Sequence, residues 1–496
     1  MTAFSLEPAR LAWCAELRTL AAERLRPLAG KGEPGRVDRP LLAELGTLGL
    51  LSRLFTSGAL DLCLMRESLA HACTEAETAL ALQGLGAHPV HAHGTAAQRA
   101  RWLPGVSDGS VVAAFALSEP GAGSDAAALS LTAEPAVRPG PAGPAERDTT
   151  TSDAPARDGY GGAPGAWTGP AVPPRGAGAP DAVARAGYGG VPDAAARGGP
   201  ARAGEAPTGA GAQSPGPAAG PDGPAPDVSA RGGGRVSARG AATDATPVPA
   251  SPAAHPDGRS GWRLTGEKCW ISNAPGADFY TVFARTTPGA GARGVTAFLV
   301  PADRPGLTGS ALDMLSPHPI GALRFDAVPV TADDVLGEVD QGFRVAMDTL
   351  NLFRPSVGAF AVGMAQAALD ATLAHTARRD AFGGKLKDLQ SVAHQVAEMA
   401  LRTESARLMV YAAATAYDEG ADGVPGRAAM AKLLATETAQ YVVDRAVQLH
   451  GARALQRGHL LEHLYREVRA PRVYEGASEV QRGIIAKELY RNLEDR

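Results

Sequence analysis

Residues 111–125 read VVAAFALSEPGAGSD, and the fold turns on how this stretch is read. Seven apolar residues, Val111 to Leu117, run into a Pro120-Gly121 turn carrying a second glycine, Gly123, and two hydroxyls, Ser118 and Ser124. A short apolar run bounded by turn residues is a strand signal. Upstream the spacing is helical. Leu11, Leu17, Leu20, Leu25 and Leu28 recur near one helical face, and DLCLMRESLAHA at 61–72 continues the pattern. Downstream, WRLTGEKCWIS (262–272), FYTVFART (279–286), GVTAFLV (294–300) and LRFDAVPV (323–330) are further short apolar or aromatic runs broken by Gly, Pro and Asn. They read as strands of an antiparallel sheet. From Gln341 the chain is helical again: Leu389, Val392, Val396, Met399, Thr403, Ala406 and Val410 alternate steps of three and four, which puts all of them on one packing stripe. The order helices, sheet, helices makes this an α+β multidomain chain. Strict βαβ alternation is missing, which argues against a Rossmann domain.

Between the first strand and the others the composition changes. From Glu134 to Arg259 there is no Leu, Ile, Phe, Met or Lys. Such a segment cannot bury enough apolar surface to offset the entropy of ordering it. ARDGYGGAP at Ala156 returns as ARAGYGGVP at Ala184, and VSARG at Val228 returns at Val236, but repeats this poor in apolar residues cannot stack as a solenoid. The segment reads as a disordered insertion, with partner binding through Tyr160, Trp167 and Tyr188 as the other reading. A long loop between strands is tolerated because closure entropy grows slowly with length. The expected domains are therefore a helical domain at 1–112, a β domain at 113–133 and 260–336, the insertion at 134–259, and a helical domain at 337–496. Deleting residues 140–255 is expected to leave folding and activity largely intact, as measured by soluble yield and turnover.

The totals exclude several classes. Lys+Arg is 48 against Asp+Glu of 52, and a net charge of −4 offers no electrostatic footprint for nucleic acid or an anionic membrane. Cys14, Cys63, Cys73 and Cys269 form no CxxC pair, so reduced thiols in a cytoplasmic protein are the simplest reading. No secretory signal, lipid anchor or membrane span is expected.

Four stretches carry candidate chemistry. His459-Leu-Leu-Glu462-His463 matches the H-x-x-E-H metalloprotease pattern, but three fixed residues recur by chance and HLLEHLYREVR also reads as an ordinary amphipathic helix. His88, His91 and His93 lack nearby carboxylates or thiols and read as a loop or helix-end cluster, not a metal site. In FALSEPGAGSD the glycines let main-chain N–H groups approach a ligand, while a plain tight turn explains the same residues. Trp270 beside Ser272 suits the face and edge of a planar heterocycle, or a half-buried strand. Arg378-Arg379-Asp380-Ala381-Phe382-Gly383, with Gln390 downstream, can hold a pyrophosphate and wall a ring, or can simply end a helix. In RVYEGASEVQRG (472–483) the short neighbours of Glu475 let another molecule approach its carboxylate closely and exclude water, while a lone glutamate equally reads as one more solvated charge on a helix surface.

Taken in order, FALSEPGAGSD, KCWISNA, RRDAFGG, QLHGARA and RVYEGASEVQRG resemble the acyl-CoA dehydrogenase family, and the likeness spans the chain outside the insertion. The resemblance implies a helical domain, a middle antiparallel β domain and a C-terminal four-helix bundle. It also implies bound FAD and conversion of an acyl-CoA or acyl-carrier thioester to the trans-2-enoyl thioester. Glu475 is then the base that removes the α-proton, and the β-hydrogen leaves as hydride to flavin N5. The flavin-contact positions are Phe115, Leu117, Ser118, Ser124, Trp270, Ser272, Arg379, Phe382, Gln390, Gln448, Gly451 and Glu479. Ser124, Asn351, Arg354 and Gly476 fall on the thioester side. In the family Arg379, Phe382 and Gln390 would reach across a subunit interface, which implies a homodimer or homotetramer. An electron-transfer flavoprotein or similar acceptor would take the electrons. Some members carry the base on the helix of Arg354, but the residue there is Phe353, which favours Glu475. Ala477, Ala452 and Asn351 depart from the usual threonine, glycine and aspartate, which puts one flavin hydrogen bond, one main-chain approach and one CoA contact in doubt. An acyl-CoA oxidase using oxygen and a non-catalytic flavoprotein scaffold share these motifs.

Overall fold

The computed structural model of the chain describes residues 6–136 and 261–494. Apart from residues 134–136, the insertion expected at 134–259 lies outside the described residues, as do Tyr160, Trp167 and Tyr188.

The first part is helical. Helix α1 (Pro8–Leu20) passes through a π turn (Ala21–Leu25) into α2 (Arg26–Ala29), burying Leu17 and Leu25 while Leu11 stays exposed. Helix α3 (Arg39–Thr47) is capped by Asp38, whose carboxylate accepts from the Leu41 amide at 2.9 Å. After α4 (Leu50–Thr56) come α5 (Ala59–Ala72), α6 (Thr74–His93) and α7 (Ala96–Asp108), the last opened by a Thr95/Gln98 capping box. His88, His91 and His93 sit in the last turns of α6. Burial lowers His88 to about 4, so it stays neutral there.

The β domain contains β1 (Ala113–Ala116), β2 (Thr132–Pro135), β3 (Gly261–Ser272), β4 (Phe279–Arg285), β5 (Val295–Pro301), β6 (Leu307–Ala311), β7 (Ile320–Thr331) and β8 (Val335–Leu336). The sheet order is β6-β7-β3-β2-β4-β5-β8, with β1 also on β4. Its long pairings are antiparallel as expected, but β1 runs parallel to β4, with Phe115 opposite Thr281. Parallel neighbours need a long connection, and the chain between them supplies one. Strand β2 runs two residues into the span assigned to the insertion: Glu134 and Pro135 pair with Arg263 and Trp262 through the backbone, which needs no apolar side chain.

The third part is helical: α8 (Gly342–Arg378), a tight hairpin of β9 (Asp380–Ala381) and β10 (Gly384–Lys385), then α9 (Gln390–Asp418), α10 (Val424–His450), α11 (Leu460–Glu467) and α12 (Ser478–Glu494). The stripe read from the sequence faces inward: Val392, Met399, Thr403, Ala406 and Val410 are buried. They pack with Phe360 and Met364 of α8 and Val442 and Val443 of α10. Helix α8 crosses α5 so closely that a Cβ on Gly363 would stand 2.4 Å from the Glu67 carbonyl oxygen. Long and apolar enough to cross a membrane, α8 is mostly buried inside the fold, as a core helix is. The Asp418 carboxylate at the end of α9 accepts from the Ala59 and Leu60 amides at 2.6 and 3.0 Å, which ties the last helical domain to the start of α5.

Candidate active site

The chain enters α12 through a turn that defies ordinary backbone preference. Glu475 has φ +50° and Gly476 has φ +96°. A non-glycine residue in the left-handed region persists only where its surroundings over-determine it. Here the surroundings are donors aimed at two carbonyls. Arg354 Nε donates to the Glu475 carbonyl at 3.3 Å. Gln481 Nε2 donates to the Glu475 and Gly476 carbonyls at 3.1 and 3.0 Å. Lys432 Nζ donates to the Gly476 carbonyl at 2.6 Å. A Cβ on Gly476 would stand 2.1 Å from Gln481 Nε2, so the position admits glycine only. The flanks are pinned as well: Glu437 accepts from Ser478 Oγ at 2.6 Å and from Arg472 Nε at 3.0 Å.

This turn delivers the Glu475 carboxylate into a dry setting. The residue as a whole is half-buried, but its Oε2 is sealed from water and has no hydrogen-bond partner. Burial pushes the carboxyl above its ordinary value, and Arg66, Lys432 and Arg354 pull it back only in part. Arg66 of α5 is itself buried, ion-paired with Glu77 of α6, and donates Nη1 to Ser356 Oγ at 2.7 Å. Asn351 accepts weakly from Arg354 Nη1 at 3.5 Å, so the two residues of α8 that the resemblance puts on the thioester side touch each other. A carboxylate with a raised pKa, one free oxygen and fixed cations around it is equipped to take a proton from carbon at near-neutral pH.

A second group forms where β1 leaves the sheet. The Cys269 amide donates to the Ser118 carbonyl at 3.0 Å, which sets Ser118 beside Trp270. Trp270 sits at a bulge in β3 with φ +58° and is 48% exposed; Ser272 is half-buried. Beneath them is an ion pair the sequence reading did not weigh. Glu119 is buried and accepts from Lys268 Nζ, the Ser130 amide, Ser130 Oγ and the Leu131 amide. Lys268 also donates to the Leu117 carbonyl at 2.9 Å. Ser124 is exposed in the loop. Phe115 and Leu117 belong to the core, with the Phe115 ring 4.9 Å from that of Phe283, so a ligand meets them through main chain and not through side chains.

A third group is exposed at the other helix ends. Arg379 ends α8, Phe382 at φ +56° tips the hairpin and is 91% exposed, and Gln390 opens α9. Gln448 and Gly451 lie at the end of α10. The His375 and His450 rings stack at 4.2 Å, and His375 is lowered by burial and then by Arg453, Arg379 and Arg378, which gather at these helix ends. Glu479, in the first turn of α12, is exposed and faces Arg482.

The H-x-x-E-H residues are otherwise engaged. His459 caps α11, Glu462 is held by Arg466 and Arg457, and His463 bonds Thr74 at 2.6 Å. A cavity of about 490 Å³ lies between α10 and α11, and Glu475 is not on its wall.

Arg66, Glu77 and Lys432 were missed because a lone charge in an apolar helix reads equally as a surface charge. Gln481, Glu119 and Lys268 lay inside the quoted motifs.

Three family models match in chain order: acyl-CoA dehydrogenase N-terminal domain over residues 8–110, middle domain over 236–328 and C-terminal domain over 340–490. The chain belongs to the acyl-CoA dehydrogenase family. Among relatives, a probable acyl-CoA dehydrogenase of Mycobacterium tuberculosis is 37% identical over 222 residues, covering 44% of this chain and 57% of that protein. The short-chain specific acyl-CoA dehydrogenase, mitochondrial, of Bos taurus is 39% identical over 234 residues, covering 47% of this chain and 56% of that protein. The chain thus spans a little over half the length of the curated relatives it matches. The structure of butyryl-CoA dehydrogenase from Megasphaera elsdenii has a TM-score of 0.69 at 24% identity, covering 98% of this chain and 99% of that one, which shows the acyl-CoA dehydrogenase fold.

Proposed function

We propose that this member of the family is an FAD-dependent dehydrogenase that converts an acyl-CoA or acyl-carrier thioester to its trans-2-enoyl product. The observation that carries the proposal is the Glu475 carboxylate, sealed in a left-handed turn with one oxygen unpartnered and three cations facing it. Family membership supplies the cofactor, FAD.

The residues present fit a flavin dinucleotide. Trp270 offers an exposed ring beside the Ser118 and Ser272 segment, and Gly451 at φ +68° faces open space, so its main chain is free to be approached. Ser118, Ser124, Trp270 and Ser272, with the main chain of Phe115 and Leu117, hold the ring end. Arg379, Phe382, Gln390, Gln448 and Gly451 hold the dinucleotide of a second subunit, which accounts for a phenylalanine ring left almost wholly in solvent. A homodimer is then the smallest complete unit. Glu479 lies one helical turn beyond Glu475, near the flavin edge.

When bound, FAD accepts the hydride that leaves the acyl β-carbon. Glu475 removes the α-proton, and its raised pKa matches it to that task at neutral pH. The acyl carbonyl gains negative charge as the proton leaves, and the family resemblance implies that the Glu475 amide would donate to it. Arg354 and Asn351 orient the thioester arm with Ser124 and Gly476. Electrons pass onward to an electron-transfer flavoprotein or similar acceptor.

A panel of acyl-CoA thioesters with an artificial electron acceptor tests the reading. Enoyl product, with little hydrogen peroxide, is expected; peroxide in yield equal to product would make the protein an oxidase instead, and no bleaching of the flavin by any thioester would sink the enzyme assignment. Arg379→Ala is expected to lower the flavin retained through gel filtration several-fold, and full retention would count against the shared dinucleotide site.

A further inference from the structure

We propose that Lys432 is a positioning residue for Glu475: its bond to the Gly476 carbonyl fixes the left-handed turn that aims the carboxylate, and its ammonium is a sealed-in charge facing that carboxylate. This deepens the reading above and rests on Glu475 being the base. Lys432 lies mid-way along α10 and is fully buried, on a helix face with Ala428, Ala429, Ala435, Thr436 and Ala439. A buried ammonium is expensive unless it is paired, and its acceptor is the Gly476 carbonyl at 2.6 Å. Among the described residues no carboxylate forms an ion pair with it. The group that compensates its charge is across the turn: Glu475 is the largest electrostatic influence on Lys432, and Lys432 in turn stands second only to Arg66 among those acting on Glu475.

The other groups around the turn do not duplicate this role. Arg66 of α5 is already committed to Glu77 of α6 and to Ser356, so much of its charge is neutralised. Arg354 of α8 reaches the Glu475 carbonyl and Asn351. Gln481 of α12 donates to the same carbonyls without charge. Glu437 of α10 is paired with Arg472, and Glu479 of α12 is exposed beside Arg482. Tyr474 is half-buried and stays neutral, its phenol pushed up by desolvation and by Glu77 and Glu475, and Glu467 of α11 is held by His318. Arg354 also joins a buried charge to the turn, but through the longer bond, 3.3 Å against the 2.6 Å of Lys432. Burial lowers its ammonium to about 8, so it is charged over the range in which a raised carboxylate titrates.

Two substitutions separate the hold from the charge. Lys432→Gln keeps a donor for the Gly476 carbonyl and removes the charge; Lys432→Met removes both. In each, the acid limb of the kcat/KM profile should move up by about one pH unit or more, because Glu475 loses a cation that favours its ionised form. Lys432→Met should in addition lower kcat about tenfold, with a smaller change in KM, and Lys432→Arg should restore the limb toward its original place. A merely structural lysine would change yield or flavin content and leave the limb where it was. An unmoved limb in either neutral variant that binds FAD normally overturns the proposal. Should neither fold, Lys432→Arg decides: it keeps both charge and donor, so its acid limb should stay within about half a pH unit of wild type, and a limb moved by a pH unit or more in an Arg variant that binds FAD normally overturns the proposal. Failure here is distinct from failure of the base assignment, since in the first case Glu475→Gln is still inactive and in the second it still turns over.

Discussion

Glu475→Gln is expected to bind FAD as wild type does and to lose about 10²–10⁴-fold in kcat, the range a positioned general base supplies. That is about 3–5 kcal/mol of transition-state stabilisation, at 1.36 kcal/mol per tenfold. The side chain nearly keeps its shape, and the clamp on the turn uses the main-chain carbonyls of Glu475 and Gly476, which the change does not touch. What disappears is a basic oxygen held without a partner. In the wild type, kcat/KM should rise with pH as the carboxyl ionises, with the midpoint above the ordinary value because burial favours the protonated form. In the variant that limb should vanish. Folding stability should change little, since two effects oppose each other. A carboxyl whose pKa is higher folded than unfolded loses stability as pH rises above 4.5, and the amide relieves this. The amide also removes the negative charge facing Arg66, Lys432 and Arg354. Flavin reduction by an acyl thioester in a stopped-flow instrument reads the chemical step directly. Reduction within a few-fold of wild type would remove Glu475 from the mechanism.

How far the sequence carried can be judged at particular residues. FYTVFAR and VTAFLVP announced β4 and β5 because every residue from Phe279 to Ala284 and from Val295 to Pro301 is buried, so each position is apolar or small and the run stands out. LTGSA did not announce β6, since four of its five residues are exposed and Leu307 alone of the five packs against the core cluster, the rest pairing with β7 through the backbone. The parallel seating of β1 on β4 was invisible as well: strand direction is set by where the chain goes between strands, not by the residues within them. At the site, Glu475, Gly476 and Gln481 sit within one twelve-residue stretch, and their relation is local. Lys432 and Arg66 come from helices 43 and 409 residues away from Glu475 in the chain, and only the packing of α5, α8 and α10 puts their charges in the same dry volume. A pattern within a window cannot report a charge balance assembled from four helices.

Glu119→Gln should have the larger effect on the fold. The wild-type carboxylate accepts from the Ser130 amide at 2.6 Å, Ser130 Oγ at 2.7 Å, the Leu131 amide at 2.9 Å and Lys268 Nζ at 2.9 Å, all in a buried setting. It moors the loop 118–125 to the start of β2 and to β3. Removing the charge from one partner of a buried ion pair typically costs about 3–5 kcal/mol, because the remaining ion has lost its compensation. Here the cost depends on pH, and its sign follows from Lys268. Its pKa is lowered by burial to about 8 even with Glu119 present, and the attraction to Glu119 is what keeps it from falling further. Without that charge it falls further, so the folded variant binds fewer protons than its unfolded chain at neutral pH. Stability of the variant should then rise with pH up to the unfolded lysine value of 10.5, whereas in the wild type that rise begins only near 8. Glu119 itself, lowered by Lys268 and by the amides against the effect of burial, contributes stability above 4.5 that is lost as pH falls through its lower folded value. The deficit of the variant should therefore be greatest near pH 6 and shrink toward pH 8, and flavin content should follow the same trend because Ser118 and Trp270 are carried by the strands this pair joins. Denaturation midpoints at pH 6 and pH 8, with flavin absorbance measured on the same samples, read both effects. Equal midpoints for variant and wild type at pH 6 would show that the loop is held by its backbone alone.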